Sequence, residues 1–254
     1  MRATSLIIGL VLSSLGSADA AEVRYNTEYS VSLGVLPIAR LSFETEVDGG
    51  RYTIGGHFRS SGLVDIVKEI SAKSSVSGQV DGQRFQPDRY QLEYKDGRKT
   101  STYDVKYRAG SVVETVVEPK PKPRPDTWVP IADGDLNAVL DPIGAFLIPG
   151  DADVCSQTLA VYDGESRMDL VLSPKRTEGY SAGKLKGEAV VCGVKYVPKS
   201  GYRKGRKDIE YLRSVEGMEI WFAKTATLKL YAPVYARVPT RYGTIYVSAQ
   251  KFDG

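Results

Sequence analysis

Apolar and polar residues alternate over most of the chain, beginning with residues 23–33. Successive side chains of a β-strand point to opposite faces of its sheet, so alternation predicts strands with one face on a core and the other toward water. This division of faces is typical of antiparallel sheets. The clearest runs before residue 118 are Val23-Tyr25-Tyr29-Val31-Leu33, Ala39-Leu41-Phe43-Val47, Tyr52-Ile54-Phe58, Tyr90-Leu92-Tyr94 and Tyr103-Val105-Tyr107.

Turn-forming residues separate these runs at intervals that suit consecutive hairpins. They are Asp48-Gly49-Gly50, Asp81-Gly82, Asp96-Gly97 and Ala109-Gly110. The pattern resumes later, with predicted strands at residues 158–162, 167–172, 188–197, 208–212, 218–223, 227–238 and 243–252. About a dozen twisted strands must form two layers or curl. We therefore predict a mainly β fold, with a curved antiparallel sheet that forms an open or partly closed β-barrel or a β-spiral.

Two segments follow a helical period and predict short helices. In residues 62–70, the side chains of Leu63, Ile66, Val67 and Ile70 fall at i, i+3, i+4 and i+7. Residues 135–147 carry a similar pattern, which Pro142 and Gly144 should bend or split. We expect both helices to cover open ends of the β core.

The chain begins with the pattern of a secretory signal peptide. Arg2 precedes the apolar run at residues 6–12, and Ala18-Asp19-Ala20 forms an A-x-A cleavage site. A membrane anchor would need roughly 20 consecutive apolar residues. We predict cleavage after Ala20, export to the periplasm, and a mature protein, residues 21–254, that forms a single β-rich domain.

Alternate prolines in residues 118–126 predict an extended connector between the two halves of this domain. Its lysines and arginine also fit a basic arm for a partner or for anionic lipid. The basic run at residues 202–207 has the same two interpretations, a charged hairpin loop or a contact with a polyanion.

Cys155 and Cys192 are the only cysteines of the chain. Export places them in an oxidising compartment, and C-x-x-C spacing, which a redox-active pair would favour, is absent. We predict a structural disulfide between them, with Cα atoms about 5.5 Å apart.

Composition argues against several kinds of chemistry. The chain has 254 residues, with one histidine and two cysteines, which are too few for a zinc finger or an iron–sulfur site. Its formal charge of +3 is too small to indicate nucleic-acid binding. Strand parity places His57 toward water, and neither a P-loop nor G-x-S-x-G occurs. Asp163, Glu165 and Asp169 surround one hairpin. This grouping of carboxylates has two interpretations: the residues form the turn and ion pairs, or they carry out carboxylate catalysis. We expect no catalytic residue, metal or cofactor.

Short motifs in the second half of the chain carry a family resemblance. They are Leu140-Asp141-Pro142-Ile143, Val161-Tyr162-Asp163-Gly164, Arg167-Met168-Asp169-Leu170, Cys192-Gly193-Val194-Lys195-Tyr196, Met218-Glu219-Ile220-Trp221, Val238-Pro239-Thr240 and Gly243-Thr244-Ile245. Together they resemble the bacterial envelope family of domain of unknown function 3108. The resemblance implies an exported, curved β structure of the kind seen in lipoprotein- and lipid-handling envelope proteins, and it implies no established activity.

Three functional classes follow from these features. The first is a non-enzymatic periplasmic protein that binds an amphiphile, a lipid or a lipoprotein segment inside its β core, with an envelope protein as a further candidate partner. The second is a structural or adaptor protein whose core is filled by its own helices, and the third is a carboxylate-dependent hydrolase. We expect neither a nucleic-acid partner nor a transmembrane span, and the sequence indicates no oligomeric state. The predicted ligand-binding residues are Leu63, Ile66, Val67 and Trp221.

Overall fold

The computed structural model describes residues 23–62 and 69–252. The predicted signal peptide and the residues Leu63, Ile66 and Val67 lie outside them. The strands are β1 (Val23–Leu33), β2 (Leu36–Asp48), β3 (Arg51–Ser60), β4 (Ile70–Asp81), β5 (Arg84–Asp96), β6 (Lys99–Arg108), β7 (Ser111–Glu118), β8 (Trp128–Val129), β9 (Ile148–Pro149), β10 (Thr158–Tyr162), β11 (Arg167–Ala182), β12 (Leu185–Ser200), β13 (Tyr202–Arg203), β14 (Glu219–Lys224), β15 (Leu230–Thr240) and β16 (Gly243–Lys251).

One antiparallel sheet contains all the long strands. Its order is β10-β11-β12-β14-β15-β16-β1-β2-β3-β4-β5-β6-β7, and β9 adds to β15. The last strand therefore pairs with the first, for example through Leu33 and Ile245, so both halves of the chain form a continuous sheet. This confirms the mainly β, curved antiparallel prediction.

The two edge strands of the sheet, β7 and β10, approach each other without closing it. Residues 139–140 lie between them: the Val139 N–H donates to the Gly110 carbonyl (3.0 Å), and Leu140 forms a parallel bridge with Val161 of β10. The hydroxyl groups of Tyr162 and Thr115 of β7 form a hydrogen bond across the gap (3.3 Å), which the Thr115 hydroxyl donates because the Tyr162 hydroxyl donates to the Gly164 carbonyl (3.0 Å). The architecture is thus barrel-like and open.

The apolar residues of the alternating runs form the core. Ile54, Val76, Tyr90 and Val105 are direct cross-strand neighbours on β3, β4, β5 and β6, and each is at most 3% exposed. Because they share one face, four strands contribute to a single buried row, as the period of two predicted.

The predicted helices are the main correction to the fold. In the described residues there is one α-helix, α1 (Lys207–Ser214), where a strand was predicted at residues 208–212. Asp208 in its first turn and Arg213 in its last complement the helix dipole. None of the described helices is long and apolar enough to cross a membrane.

The helix predicted at residues 135–147, bent or split at Pro142 and Gly144, is not an α-helix in the structure. These residues contain part of a 3-10 turn, Asp133–Leu136, and a second turn, Gly144–Phe146. Pro142 has no N–H to donate, and the Asp141 side chain takes the next two backbone N–H groups, so a continuous helix cannot form there. Of the predicted helix at residues 62–70, residues 63–68 lie outside the described part of the chain.

The proline-rich connector and the basic run meet on the surface. Arg124 stacks on the ring of Trp128 at 4.0 Å and forms an ion pair with Glu165 (2.6 Å). Strand β8, which follows the connector, pairs with β13 at the start of the basic run. The basic run is therefore a short strand and turn leading into α1, and the simple hairpin loop expected there is absent.

The structure confirms the disulfide. Cys155 lies in the 3-10 turn Val154–Ser156 and is bonded to Cys192 of β12, with Cα atoms 5.3 Å apart. Both residues are at most 2% exposed and belong to the hydrophobic core. The bond thereby ties the chain that follows the Gly144–Phe146 turn to the sheet.

Candidate functional site

An apolar cavity of about 300 Å³ lies on the inner face of the sheet. Strands β1, β2, β3 and β14–β16 form its wall, and residues 141–147, which we call the cover segment, lie against it. The lining residues are Tyr25, Thr27, Tyr29, Leu41, Phe43, Thr45, Ile54, Pro142, Ile143, Phe146, Leu147, Ile220, Ala232, Pro233, Ala236 and Val247.

Strand register explains why this wall is apolar. Thr27 pairs with Phe43, and Ala236 pairs with Val247, so each pair presents two side chains to the same face. The Tyr29 hydroxyl donates to the Pro233 carbonyl (2.8 Å), which satisfies its polar end and leaves its ring against the cavity. Burial raises the pKa of Tyr29, so this hydroxyl stays neutral.

Asp141 shapes the cover segment. Its carboxylate is fully buried, and Oδ1 accepts the N–H groups of Ile143 (2.8 Å) and Gly144 (2.7 Å). A Cβ on Gly144 would lie 2.5 Å from Asp141 Oδ2, so this close approach requires glycine. Burial raises the pKa of Asp141, although the two backbone N–H groups oppose the shift. Oδ2 has no hydrogen-bond partner among the described residues, and burial without a partner disfavours the charged form.

Pairing with the sheet holds both ends of the cover segment. Leu140, just before it, bridges to Val161 of β10, and the strand β9, just after it, pairs with β15. Between these anchors, the Gly144–Phe146 turn brings Ile143, Phe146 and Leu147 to the cavity. The cover is therefore a short irregular segment fixed at two points.

The family follows from a match over most of the chain. The profile of the family described as protein of unknown function (DUF3108) matches residues 28–250. The chain belongs to this family. The crystal structure of a beta-barrel-like protein of domain of unknown function DUF1849 from Brucella abortus is similar to this DUF3108 protein, with a TM-score of 0.52 and 14% identity over 91% of this chain and 99% of that one. At that identity, the similarity shows the fold alone. No curated protein matches the chain.

The structure of the DUF3108 protein places Trp221 away from the cavity. Its ring packs on Tyr235, with centroids 4.7 Å apart, and Arg176 lies 5.6 Å from it. Ile220, the preceding residue, lines the cavity instead, and the next residue, Phe222, is fully buried in the core. Alternation alone assigns Ile220 and Trp221 to opposite faces, but it does not say which face is inside.

The other predicted residues have different outcomes. Leu63, Ile66 and Val67 fall outside the described residues. The cover-segment side chains that line the cavity were missed as site residues, although the sequence assigned residues 135–147 to a covering role. The apolar residues that follow Asp141 in the sequence were the available indication, but they were assigned to one face of the predicted helix.

The carboxylates considered for catalysis are engaged in turns and ion pairs. Asp163 Oδ1 accepts the N–H groups of Glu165 (2.9 Å) and Ser166 (2.6 Å), which closes the β10–β11 turn. Asp169 pairs with Arg167 at 2.6 Å. Burial raises the pKa of Asp163, with the two turn N–H groups opposing the shift. This arrangement matches the structural explanation of the cluster.

A second concavity, an open polar groove of about 850 Å³, crosses the outer face of β1–β5. Arg40 of β2 and Arg59 of β3 are direct cross-strand neighbours in it, and His57 lies opposite Lys73 of β4. All four side chains are exposed. The groove is also lined by Glu28, Glu69 and Glu93, and Glu93 of β5 lies directly opposite Lys73, so charges of both signs share it.

Proposed function

We propose that this DUF3108 protein is an exported, non-enzymatic binding protein that holds the apolar part of an amphiphile in the cavity beneath the cover segment. The observation that carries the proposal is the cavity itself, with its apolar wall and with the Tyr29 hydroxyl paired to the Pro233 carbonyl. Such a site needs few polar contacts and no reacting side chain.

The energetics of packing favour an occupant. The cavity is partly open to solvent, and apolar surface that leaves water on binding stabilises the complex by about 25 cal/mol per Å². A volume of about 300 Å³ equals that of roughly ten liquid waters, and an apolar wall binds water poorly. An acyl chain would restore contacts with Ile143, Phe146 and Val247 without leaving a polar group unpaired.

A displacement assay tests the proposal. Delipidated protein is titrated with a fluorescent fatty acid, and unlabelled fatty acid or phospholipid competes. Ala236→Phe places a ring in the cavity and should reduce affinity by about tenfold or more. Thr53→Phe introduces a ring on the exposed face of β3 and should leave binding unchanged. Circular dichroism verifies that both variants fold.

A structural or adaptor protein with a self-filled core is the second candidate. Val139 is 1% exposed and belongs to the same part of the core as the buried row on β3–β6. Leu136, Ile143 and Leu147 pack against that part of the core. If delipidated wild-type protein binds no amphiphile, this candidate replaces the first.

The periplasmic location is part of the proposal. It rests on the A-x-A site that ends at Ala20 and on a cystine buried in the core. N-terminal sequencing of the protein purified from its own host should begin at Ala21. Retention of Met1 would contradict export.

A further inference from the structure

Two neighbouring turns expose large apolar side chains. Val35 is 94% exposed and Leu36 is 54% exposed in the β1–β2 turn, while Tyr242 is 82% exposed in the β15–β16 turn. Isolated exposed apolar residues are common, but their concentration at one place marks an interaction surface.

The two turns form one surface because their strands are adjacent. β1 pairs with β16 up to Leu33 and Ile245, and beyond this pair the Gly34 N–H donates to the Thr244 carbonyl (2.8 Å). A Cβ on Gly243 would lie 3.1 Å from Leu33 Cδ1, so the turns are in close contact. We call residues 33–37 and 240–244 the tip surface.

The composition of the tip surface differs from that of other turns in the sheet. Residues 33–37 are Leu-Gly-Val-Leu-Pro and residues 240–244 are Thr-Arg-Tyr-Gly-Thr, without an acidic residue. Three other hairpin turns instead carry an aspartate followed by glycine, at residues 48–49, 81–82 and 96–97. Aliphatic side chains beside a tyrosine and an arginine suit the boundary between lipid headgroups and acyl chains.

Positive charge lies next to the tip surface. Arg40 is four residues beyond Leu36, about 13 Å along β2, and Arg59 is its direct neighbour. Neither they nor Arg241 has a carboxylate partner among residues 23–62 and 69–252, and all three are exposed. Exposed arginines without a carboxylate partner in the described part of the chain are positioned, at this distance, to attract anionic headgroups.

We propose that the tip surface docks onto an anionic lipid bilayer, with Val35, Leu36 and Tyr242 entering the interface and Arg40, Arg59 and Arg241 contacting lipid phosphates. Exposed apolar side chains leave water on docking, and the arginines gain attraction to the charged surface. The tip surface and the apolar cavity lie on some of the same strands but have no residue in common. Docking and amphiphile binding are therefore separate properties.

Vesicle flotation tests the apolar contribution. The full mature protein is mixed with vesicles of phosphatidylcholine and phosphatidylglycerol in equal parts. The variant Val35→Ser/Leu36→Ser/Tyr242→Ser should lose affinity for these vesicles by about tenfold or more. The matched control, Val113→Ser/Val116→Ser/Leu185→Ser, removes three exposed apolar side chains elsewhere and should bind as wild type does.

The same assay tests the contribution of charge. Arg40→Gln/Arg59→Gln should weaken binding by about fivefold for each charge removed. Arg24→Gln/Arg51→Gln removes equal charge from arginines that already pair with Glu46 and Asp88, and should have a smaller effect. Wild type should also prefer these vesicles to pure phosphatidylcholine. Equal binding by wild type and the tip variant, or equal binding to both kinds of vesicle, overturns the proposal. The displacement assay in solution, without vesicles, reports on the cavity independently.

Discussion

Removing the side chain of Asp141 should destabilise the fold of the cover segment. The variant Asp141→Ala deletes the oxygen that accepts the N–H groups of Ile143 and Gly144, in a place where the carboxylate is fully buried. A buried donor left without an acceptor costs ~1–3 kcal/mol. Two such donors predict a loss of about 2–6 kcal/mol in the free energy of unfolding.

Asp141→Asn is the matched control. Asparagine retains an Oδ1 that can accept both N–H groups, and it removes the charge as alanine does. The asparagine amide nitrogen replaces Oδ2, which has no partner among the described residues, so the difference in stability between the two variants is a lower bound on the contribution of the two hydrogen bonds. The free energies of unfolding are measured by urea titration at neutral pH, with circular dichroism as the signal. If Asp141→Ala unfolds at the same urea concentration as wild type, the Asp141 side chain does not hold the cover segment in place.

The pH dependence of these variants gives a second measurement. Burial raises the pKa of Asp141 in the folded protein above its unfolded value of about 3.9. The folded state then binds this proton more tightly than the unfolded state does. The resulting stabilisation is complete below the unfolded pKa and is lost as the pH rises through the folded pKa. Wild type should therefore lose stability relative to Asp141→Asn as the pH increases, and parallel curves would refute the shift.

Two further outcomes concern the sheet. Replacing Cys155 and Cys192 by serine opens a loop with a sequence separation of 37, and the loop-entropy relation predicts a loss of about 4 kcal/mol, measurable by urea unfolding without reductant. Glu219 is partly desolvated, which raises its pKa, but hydrogen bonds from Arg176, Lys175 and the Trp221 ring N–H lower it to about 2. Glu219→Gln should therefore destabilise the protein at neutral pH, and the difference from wild type should shrink as the pH falls toward 2; a constant difference would contradict this.

Local patterns in the sequence were sufficient for much of the architecture. Alternation in residues 23–33 and the Asp-Gly turns predicted the antiparallel hairpins, because side-chain direction in a strand depends only on position along the chain. The pairing of Cys155 with Cys192 followed from the predicted compartment and the absence of other cysteines. The same local reasoning failed at residues 208–212, where Ile209 and Tyr211 alternate as in a strand while Ile209 and Leu212 also fit a helix turn.

Tertiary structure decided which apolar residues form the site. Ile220 and Trp221 are both apolar and adjacent, and only the packing of β14 between β12 and β15 determines that Ile220 faces the cavity. The irregular path of residues 141–147 likewise depends on burying Asp141, because a hydrogen bond from a backbone N–H to its carboxylate is stronger where water is excluded. The sequence by itself determined the strands and their alternating faces. The closure of the chain's ends through β1 and β16, and the cavity this creates, required contacts between residues more than 200 positions apart, which no local pattern encodes.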